Sequence, residues 1–222
     1  MPWSSNGTFL VELTPAGCDP EDPAVEATRA VYKPVRGERP LWDFPNGLYQ
    51  REVAAYVLAE AIEWDIVPPT LVREEAPLGV GSLQLFIDAD FQQHYFTLLE
   101  NEGNHAQLAR ICAFDLLVNN TDRKSGHCLI DSDGHIWAID NGLSFSLHAR
   151  LRTVIWDFAG EPVPDDLLAA VAAVVDSSLE SRLSELLDPF ERDAVGARAR
   201  ALLREGRFPV DETGHAYPWP LV

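Results

Sequence analysis

Residues 111–145 alternate between apolar and polar runs in an order that few folds accommodate. A mostly apolar segment, residues 111–118, leads into a polar run at residues 119–124 (Asn-Asn-Thr-Asp-Arg-Lys), and two short apolar runs follow. The two apolar runs are separated by residues 131–134 (Asp-Ser-Asp-Gly), and Asp-Gly between apolar runs is a strong signal for a β-hairpin. The pattern predicts a helix, a polar loop and a hairpin, in that order.

The predicted hairpin brings two carboxylates towards each other. Asp122 lies in the polar loop, and Asp140 follows the second apolar run. A lone aspartate in such a place is usually only solvated, but Asn-Asn-x-Asp-Arg between apolar segments is a more specific pattern. Two carboxylates suit phosphoryl transfer, in which one orients or deprotonates the attacking group and the other holds Mg²⁺ against the nucleotide phosphates.

The motif NNTDRKSGH, followed by AIDNG, resembles the catalytic segment of the phosphatidylinositol 3-/4-kinase-like superfamily. That superfamily includes HipA-type bacterial kinases and the atypical kinases of the secretory pathway. The match covers Asn120, Asp122, Arg123, Asp140 and Gly142. The chain is most similar to an actinobacterial family of uncharacterised proteins placed near the lipid kinases.

The resemblance implies an α+β, two-lobed protein-kinase-like fold that spans residues 1–222 as a single domain. We expect a small, β-rich N-lobe over residues 1–87. A mainly helical C-lobe over residues 88–222 would carry the catalytic loop and the metal-binding strand end. Two helical patterns fit this division. Residues 47–65 have the periodicity of an α-helix, and residues 188–206 form a helical pattern with a cap at each end, Asp188 and Gly206.

The resemblance also implies roles for the central residues. Asp122 would orient and deprotonate the acceptor hydroxyl, and Arg123 would brace the catalytic loop or neutralise developing charge. Asp140 would bind Mg²⁺. His127 stands where the superfamily usually has Asn or Glu as a second metal ligand, and a neutral imidazole is a poorer Mg²⁺ ligand than an oxygen. This departure leaves three alternatives: one metal only, a different metal, or a damaged kinase.

The N-terminal half supplies the expected nucleotide contacts. Lys33 is one of only two lysines in the chain and lies at the end of an apolar strand pattern, like the strand lysine that contacts ATP in the superfamily. Glu52, on the predicted helix, would pair with it, although Glu60 and Glu63 compete for that role. A compact ammonium suits a point contact to a phosphate oxygen.

Two further segments would complete the nucleotide site. The turn that contains Ser5 and Asn6 resembles the turn that covers the ATP phosphates in the superfamily, although most such turns only connect strands. The backbone of Leu85, Phe86 and Ile87 would hydrogen-bond the adenine edge, because the order of elements places this strand end at the hinge between lobes. An ordinary sheet strand is the alternative.

Composition limits the partners and the compartment. The net charge is −18, from 17 basic and 35 acidic side chains, which argues against binding of nucleic acid and against stable association with an anionic membrane surface. No apolar run is long enough to span a membrane, and residues 1–10 do not read as a secretory signal. Three cysteines without metal-type spacing read as reduced thiols, so we expect a cytoplasmic protein.

The sequence therefore predicts an ATP- and Mg²⁺-dependent phosphotransferase that acts on an unidentified hydroxyl acceptor. A small metabolite or a protein hydroxyl suits the acidic chain better than a lipid. Two alternatives stay open. The chain could be a nucleotide-binding pseudokinase with a regulatory role, or a kinase-fold enzyme that transfers AMP.

Overall fold

A computed structural model describes residues 6–19, 21–22, 24–176 and 179–222 of the chain. It confirms the predicted α+β class, with a small antiparallel sheet in the first part of the chain and mostly helices in the rest. The described residues of the first part form four strands and one α-helix: β1 (Phe9–Leu13), β2 (Thr28–Pro34), α1 (Leu48–Ala61), β3 (Thr70–Arg73) and β4 (Gly81–Leu85).

The first sheet is antiparallel throughout, with the strand order β1-β2-β4-β3. Lys33 of β2 lies opposite Ser82 of β4. One face of the sheet buries a small apolar cluster of Ala30, Tyr32 and Leu83. Gly81 has to be glycine, because a Cβ atom there would collide with the carbonyl oxygen of Lys33. The sheet therefore holds Lys33 at a fixed place near the end of β2.

The second part of the chain is mainly helical and has the larger core. It contains α2 (Tyr95–Leu99), α3 (His105–Val118), β5 (Cys128–Ile130), β6 (Ile136–Ala138), α4 (Asp165–Asp176), α5 (Leu179–Leu183) and α6 (Pro189–Glu205). Helix α3 is buried on most of its surface, as expected of a central helix that is apolar nearly all round. None of the described helices combines the length and the apolarity that crossing a membrane requires.

Several local predictions are confirmed. Strands β5 and β6 form an antiparallel hairpin in which Ile130 lies opposite Ile136. The side chain of Asp188 accepts a hydrogen bond from the N–H of Glu191, and the side chain of Glu191 accepts one from the N–H of Asp188. The predicted capping box therefore begins α6. Gly206 ends that helix in the left-handed conformation, with φ of 61°. The lobe boundary at Ile87, which lies between β4 and α2, stays a prediction.

Helix α1 is held against both parts of the chain. It packs on β3 and β4 of the first sheet and on α5 of the helical part. Two consecutive charged residues, Arg51 and Glu52, are each only 3% exposed. Arg51 forms an ion pair with Glu191 of α6 and donates a hydrogen bond of 3.1 Å from Nε to the carbonyl oxygen of Ser144. This buried pair connects the helix that carries Glu52 to the C-terminal helix.

We predict that Arg51→Met destabilises the protein by about 3–5 kcal/mol, because the carboxylate of Glu191 is left buried without its cation. The double variant Arg51→Met/Glu191→Leu should recover most of this loss, since no unpaired charge remains. Urea unfolding followed by circular dichroism measures both. Arg182→Met, which removes a half-exposed ion pair with Glu60, is the control and should change stability by less than about 1 kcal/mol. Equal costs for the single and double variants would contradict the prediction.

Candidate active site

The polar loop after α3 begins with an unusual backbone conformation. Asn119 ends the helix with φ of 53°, in the left-handed region that asparagine tolerates better than most residues. Its side-chain nitrogen donates to the carbonyl oxygens of Ser146 (2.9 Å) and His148 (2.7 Å). Its side-chain oxygen accepts from the N–H of Arg150 at 3.1 Å. The amide thereby connects the start of the loop to residues 146–150.

The next residues are held by hydrogen bonds at nearly every peptide. The side chain of Asn120 donates to Asp115 (3.2 Å) and accepts from the N–H of Asp122 (2.9 Å). The N–H of Arg123 donates to the carbonyl oxygen of Arg152 at 3.0 Å. The backbone that carries Asp122 is therefore fixed from both sides, which suits a side chain whose position matters.

A buried ion pair lies beneath this loop. Arg123 has no solvent exposure, and its guanidinium pairs with the equally buried carboxylate of Asp115, with Nη2–Oδ1 of 2.9 Å. The same guanidinium donates to the carbonyl oxygen of Ile139 (2.5 Å) and to the side chain of Asn141 (2.6 Å). Thr153 also donates to Asp115, at 3.2 Å. Arg123 thus links the loop to the strand end that precedes Asp140.

Asp140 follows β6 in a strained conformation. Its φ is 58°, and such left-handed backbone at a non-glycine residue costs roughly 1–2 kcal/mol. The neighbouring peptide is held by Glu52, whose Oε2 accepts from the N–H of Asn141 at 3.0 Å. At Gly142 a Cβ atom would lie 3.1 Å from Oε1 of Glu52, so the glycine of Asp-Asn-Gly permits this close approach.

The ammonium of Lys33 lies between two carboxylates. It forms an ion pair with Glu52, and its Nζ is 2.8 Å from Oδ1 of Asp140. Burial alone would lower the pKa of Lys33, but Asp140 and Glu52 together raise it above its usual value. The ammonium of Lys33 in turn holds the pKa of Asp140 far below the usual range of an aspartate. Lys33 is therefore charged, and Asp140 is an anion at any physiological pH.

These groups line one pocket of about 360 Å³. Its walls include Asn6, Lys33, Glu52, Asp122, Lys124, His127 and Asp140. Asp122 lies 3.3 Å from the ammonium of Lys124. Burial raises the pKa of Asp122, while the charge of Lys124 opposes this rise. A carboxylate with a raised pKa is a better proton acceptor than an ordinary aspartate.

His127 lies beside Asp140, immediately before β5. Its Nε2 is 3.4 Å from Oδ2 of Asp140, and its Nδ1 accepts a hydrogen bond of 3.3 Å from the N–H of Lys124. Burial lowers the pKa of His127 to about 4, so the imidazole is neutral at physiological pH.

The structure brings together most of the described residues that the sequence singled out, and two groups fall elsewhere. Arg123 is buried below the pocket and does not line it. Leu85, Phe86 and Ile87 also lie outside its walls, and the N–H of Phe86 donates to the carbonyl oxygen of Arg29 at 3.0 Å. Ser5 lies outside the described residues.

Sequence reasoning missed several groups at the pocket. Lys124 was passed over, although its rarity in the chain was a usable signal. Glu38 and Tyr49 line the pocket from the segment after β2 and from the start of α1, and Pro220 and Val222 line it from the end of the chain. No sequence pattern marks these four residues. A larger, mostly apolar cavity of about 630 Å³ near α6 contains none of the predicted site residues.

The comparisons with known proteins identify the family of the chain. A family model described as phosphatidylinositol 3- and 4-kinase matches residues 44–188. The chain is also similar to Protein Rv2133c of Mycobacterium tuberculosis (strain ATCC 25618 / H37Rv). The two are 35% identical over an alignment of 254 residues, which covers 98% of this chain and 88% of that protein. The chain therefore belongs to the phosphatidylinositol 3- and 4-kinase family. The predicted membership of the phosphatidylinositol 3-/4-kinase-like superfamily, which includes atypical kinases, is confirmed.

The solved structure of one other protein, hydra Fam20, supports the fold. Fam20 of hydra, solved with a sugar, has a TM-score of 0.55 and 13% identity, covering 91% of this chain and 83% of that one. The proinflammatory kinase CtkA of Helicobacter pylori has a TM-score of 0.49 and 14% identity, covering 83% of this chain and 88% of that one. The fold is the two-lobed kinase-like fold, with a small β-rich lobe and a mainly helical lobe.

We predict that Asp115→Asn costs about 3–5 kcal/mol in stability, because it leaves the buried guanidinium of Arg123 without an anion. The amide keeps the size of the side chain, so the loss reports charge rather than packing. Chemical unfolding measures the effect. Asp88→Asn, at a side chain that is 82% exposed, is the matched control and should change stability by less than about 1 kcal/mol. Similar values for both variants would show that Arg123 does not depend on Asp115.

Proposed function

We propose that this chain transfers the γ-phosphoryl group of ATP to a hydroxyl acceptor, with Mg²⁺ as cofactor. The observation that carries the proposal is the position of the Lys33 ammonium between Glu52 and Asp140, in the same pocket as Asp122. In kinases a lysine on a strand, paired with a glutamate on a helix, contacts the nucleotide phosphates. An aspartate that follows the catalytic loop in the sequence holds the metal. Membership of the family supports the same assignment.

The residues present fit one Mg²⁺ ion. The Asp140 side chain is 51% exposed and ionised, so its oxygens can reach a cation in the pocket. No group of three or more His, Cys, Asp or Glu side chains suited to a metal occurs among the described residues. Mg²⁺ does not require such a group, because it usually takes one or two carboxylates and completes its shell with substrate phosphates and water. When bound, the ion would neutralise charge that develops on the phosphates.

Asp122 is our candidate for the residue that positions the acceptor. The acceptor oxygen would form a bond to the γ-phosphorus while the bond from that phosphorus to the β,γ-bridging oxygen breaks. ADP leaves with the electron pair, and the acceptor proton passes to the carboxylate of Asp122. The hydrogen bonds that fix residues 120–123 hold this carboxylate in place, which is how a positioned base contributes to rate.

The remaining predicted residues take supporting roles in the proposal. Lys33, held by Glu52, would contact the phosphates, and Asn6 would cover them. Leu85, Phe86 and Ile87 would meet the adenine edge outside the phosphate pocket. Arg123 would act by position only, because it is fully buried and bonds the backbone beside Asp140.

The acceptor is a small metabolite or a protein hydroxyl in this proposal. A lipid in an anionic membrane would require basic side chains on the surface, whereas the chain carries 35 acidic and 17 basic residues. The composition also favours a cytoplasmic enzyme.

We predict that MgATP raises the melting temperature of the wild type and that Asp140→Ala abolishes the shift. At a nucleotide concentration of 100 Kd, binding adds about 2.7 kcal/mol, or roughly 5–10 °C for a chain of this size. Asp133→Ala, in the exposed turn of the same hairpin, should keep the shift.

Mass analysis of products then separates phosphoryl transfer from transfer of AMP. A shift that depends on Mg²⁺ without turnover on any acceptor would favour a regulatory nucleotide-binding protein instead. Absence of any shift in the wild type at millimolar MgATP would contradict the proposal.

We predict that activity falls as the pH is lowered through the raised pKa of Asp122. The base must be ionised to accept the proton, so kcat/KM is lost below that pKa and is constant above it. Lys124→Met should move this acid limb to higher pH, because the ammonium that opposes the rise in the pKa of Asp122 is removed. A pH profile of kcat/KM tests both statements, with folding checked at each pH. An acid limb that stays in place would exclude Asp122 as the base.

A further inference from the structure

A second cavity lies apart from the pocket that contains Lys33 and Asp122. It has a volume of about 630 Å³ and is mostly apolar, and the described residues that line it are different from those that line the first pocket. Its walls come from the end of α3, from the segment 149–156, from the second half of α6 and from the segment 207–216. Cavities of roughly 300–1,000 Å³ with an apolar lining and a few polar groups are typical of small-molecule sites.

One side chain of this lining is a largely buried cation without an anion. Arg198 of α6 donates from Nε to the carbonyl oxygen of Leu117 at 2.7 Å and from Nη1 to that of Ser146 at 3.4 Å. Its Nη2 is buried and has no hydrogen-bond partner among the described residues. Burial lowers the pKa of Arg198 to about 10, so the guanidinium is charged at physiological pH. A buried charge is normally paired, and Arg198 therefore has room for an anion.

The other charges of the lining also favour an anionic ligand. Arg207 lines the cavity and forms no ion pair with a described residue. The two acidic residues of the lining are already engaged. Glu205 pairs with its neighbour Arg204 at 3.1 Å, and Asp211 accepts hydrogen bonds from backbone N–H groups within the segment 213–216. The charge that is left open in the wall is thus positive.

The guanidinium of Arg198 is able to turn towards a ligand. Its 3.4 Å bond to Ser146 is longer than the roughly 2.7–3.2 Å of an ordinary N–H···O bond, so it is easily given up. The planar fork of an arginine then matches the two oxygens of a carboxylate. Apolar side chains of the lining, such as Trp156 and Phe208, would cover a hydrocarbon or aromatic body.

The wall of this cavity is connected to the loop that follows α3. Asn119 lines the cavity, and its side-chain nitrogen donates to the same carbonyl oxygen of Ser146 that Arg198 contacts. The segment 149–152 borders the cavity, and its last N–H donates to the carbonyl oxygen of Asn120 at 2.9 Å. A ligand that orders this wall would also order the loop.

We propose that this cavity binds a small organic anion with an apolar body, held at its charged end by Arg198, and that the bound anion restrains the loop that carries Asp122. A monocarboxylate with a hydrocarbon or aromatic tail has this chemistry. The inference goes beyond the proposed function and does not depend on it, because the ligand and the cavity are different.

Titration of octanoate, followed by ligand-observed nuclear magnetic resonance, tests the binding. One molecule per chain should bind with a Kd of about 1 mM or lower. Octanol has the same apolar body without the charge, and it should bind at least about 10-fold more weakly because it cannot pair with the guanidinium. Equal affinity for the two compounds, or no saturable binding of octanoate at millimolar concentrations, would overturn the proposal.

Two variants test the place of the charge. Val210 lines the cavity and is 61% exposed, so Val210→Asp should leave the fold intact and weaken octanoate binding at least about 10-fold by repulsion. Phe190→Asp, at a side chain that is 72% exposed and outside the lining, is the control and should keep the affinity. Unchanged affinity in Val210→Asp would overturn the site.

Arg198→Met should abolish the preference for octanoate over octanol. Because Arg198 also bonds two carbonyl oxygens, circular dichroism checks the folding of this variant, and Val210→Asp decides the question if it does not fold. A folded Arg198→Met that keeps the preference would contradict the role of Arg198.

Hydrogen exchange followed by mass spectrometry tests the effect on the loop. Saturating octanoate should slow exchange in the segments 149–152 and 207–216 and also at residues 119–123. Slower exchange in the first two segments alone would overturn the restraint on the loop. Sedimentation of the ligand-free protein tests a competing occupant. A dimer that forms with rising concentration and is lost in Val210→Asp would show that a second copy covers the cavity, and it would overturn the proposal.

Discussion

Two neighbouring residues of α1 carry charges that face opposite parts of the molecule. Consecutive residues on a helix point about 100° apart, so Arg51 reaches Glu191 of α6 while Glu52 reaches Lys33 of the sheet. Because both pairs are largely buried, separating either would leave a charge without its partner and cost several kcal/mol. Rotation or displacement of α1 would break both pairs together. The position of Lys33 therefore depends on the packing of α6, at the other end of the chain.

A second buried ion pair stabilises the loop that carries Asp122. Arg123 bonds the carbonyl oxygen of Ile139 and the side chain of Asn141 on either side of Asp140, whose backbone has a positive φ. Strained conformations persist when the surroundings specify them fully. The buried guanidinium, itself held by Asp115, is part of what keeps Asp140 directed towards the pocket. The loop that carries Asp122 and the strand end that carries Asp140 are thus one hydrogen-bonded unit.

The features that could be predicted from residue patterns are those that depend on residues close together in the sequence. The hairpin after Asp122, the capping box of α6 and the glycine that ends it follow from residues a few positions apart, so their chemistry is visible in the sequence. The family motif added Lys33 and Glu52, which are far apart in the sequence. The Arg51–Glu191 pair spans 140 residues, and no pattern along the chain specifies it. Lys124 was missed because a lysine beside an aspartate in a loop is usually only solvated.

Net charge and local charge act over different distances at this site. The chain carries −18 overall, but mobile ions screen exposed charges beyond a Debye length of about 8 Å at physiological salt. The remote acids therefore have little effect on a phosphate bound within the pocket, where both lysines of the chain line the wall. A membrane surface, in contrast, is recognised by charges spread over the outside of a protein. The same composition thus permits a nucleotide in the pocket and disfavours a lipid surface outside it.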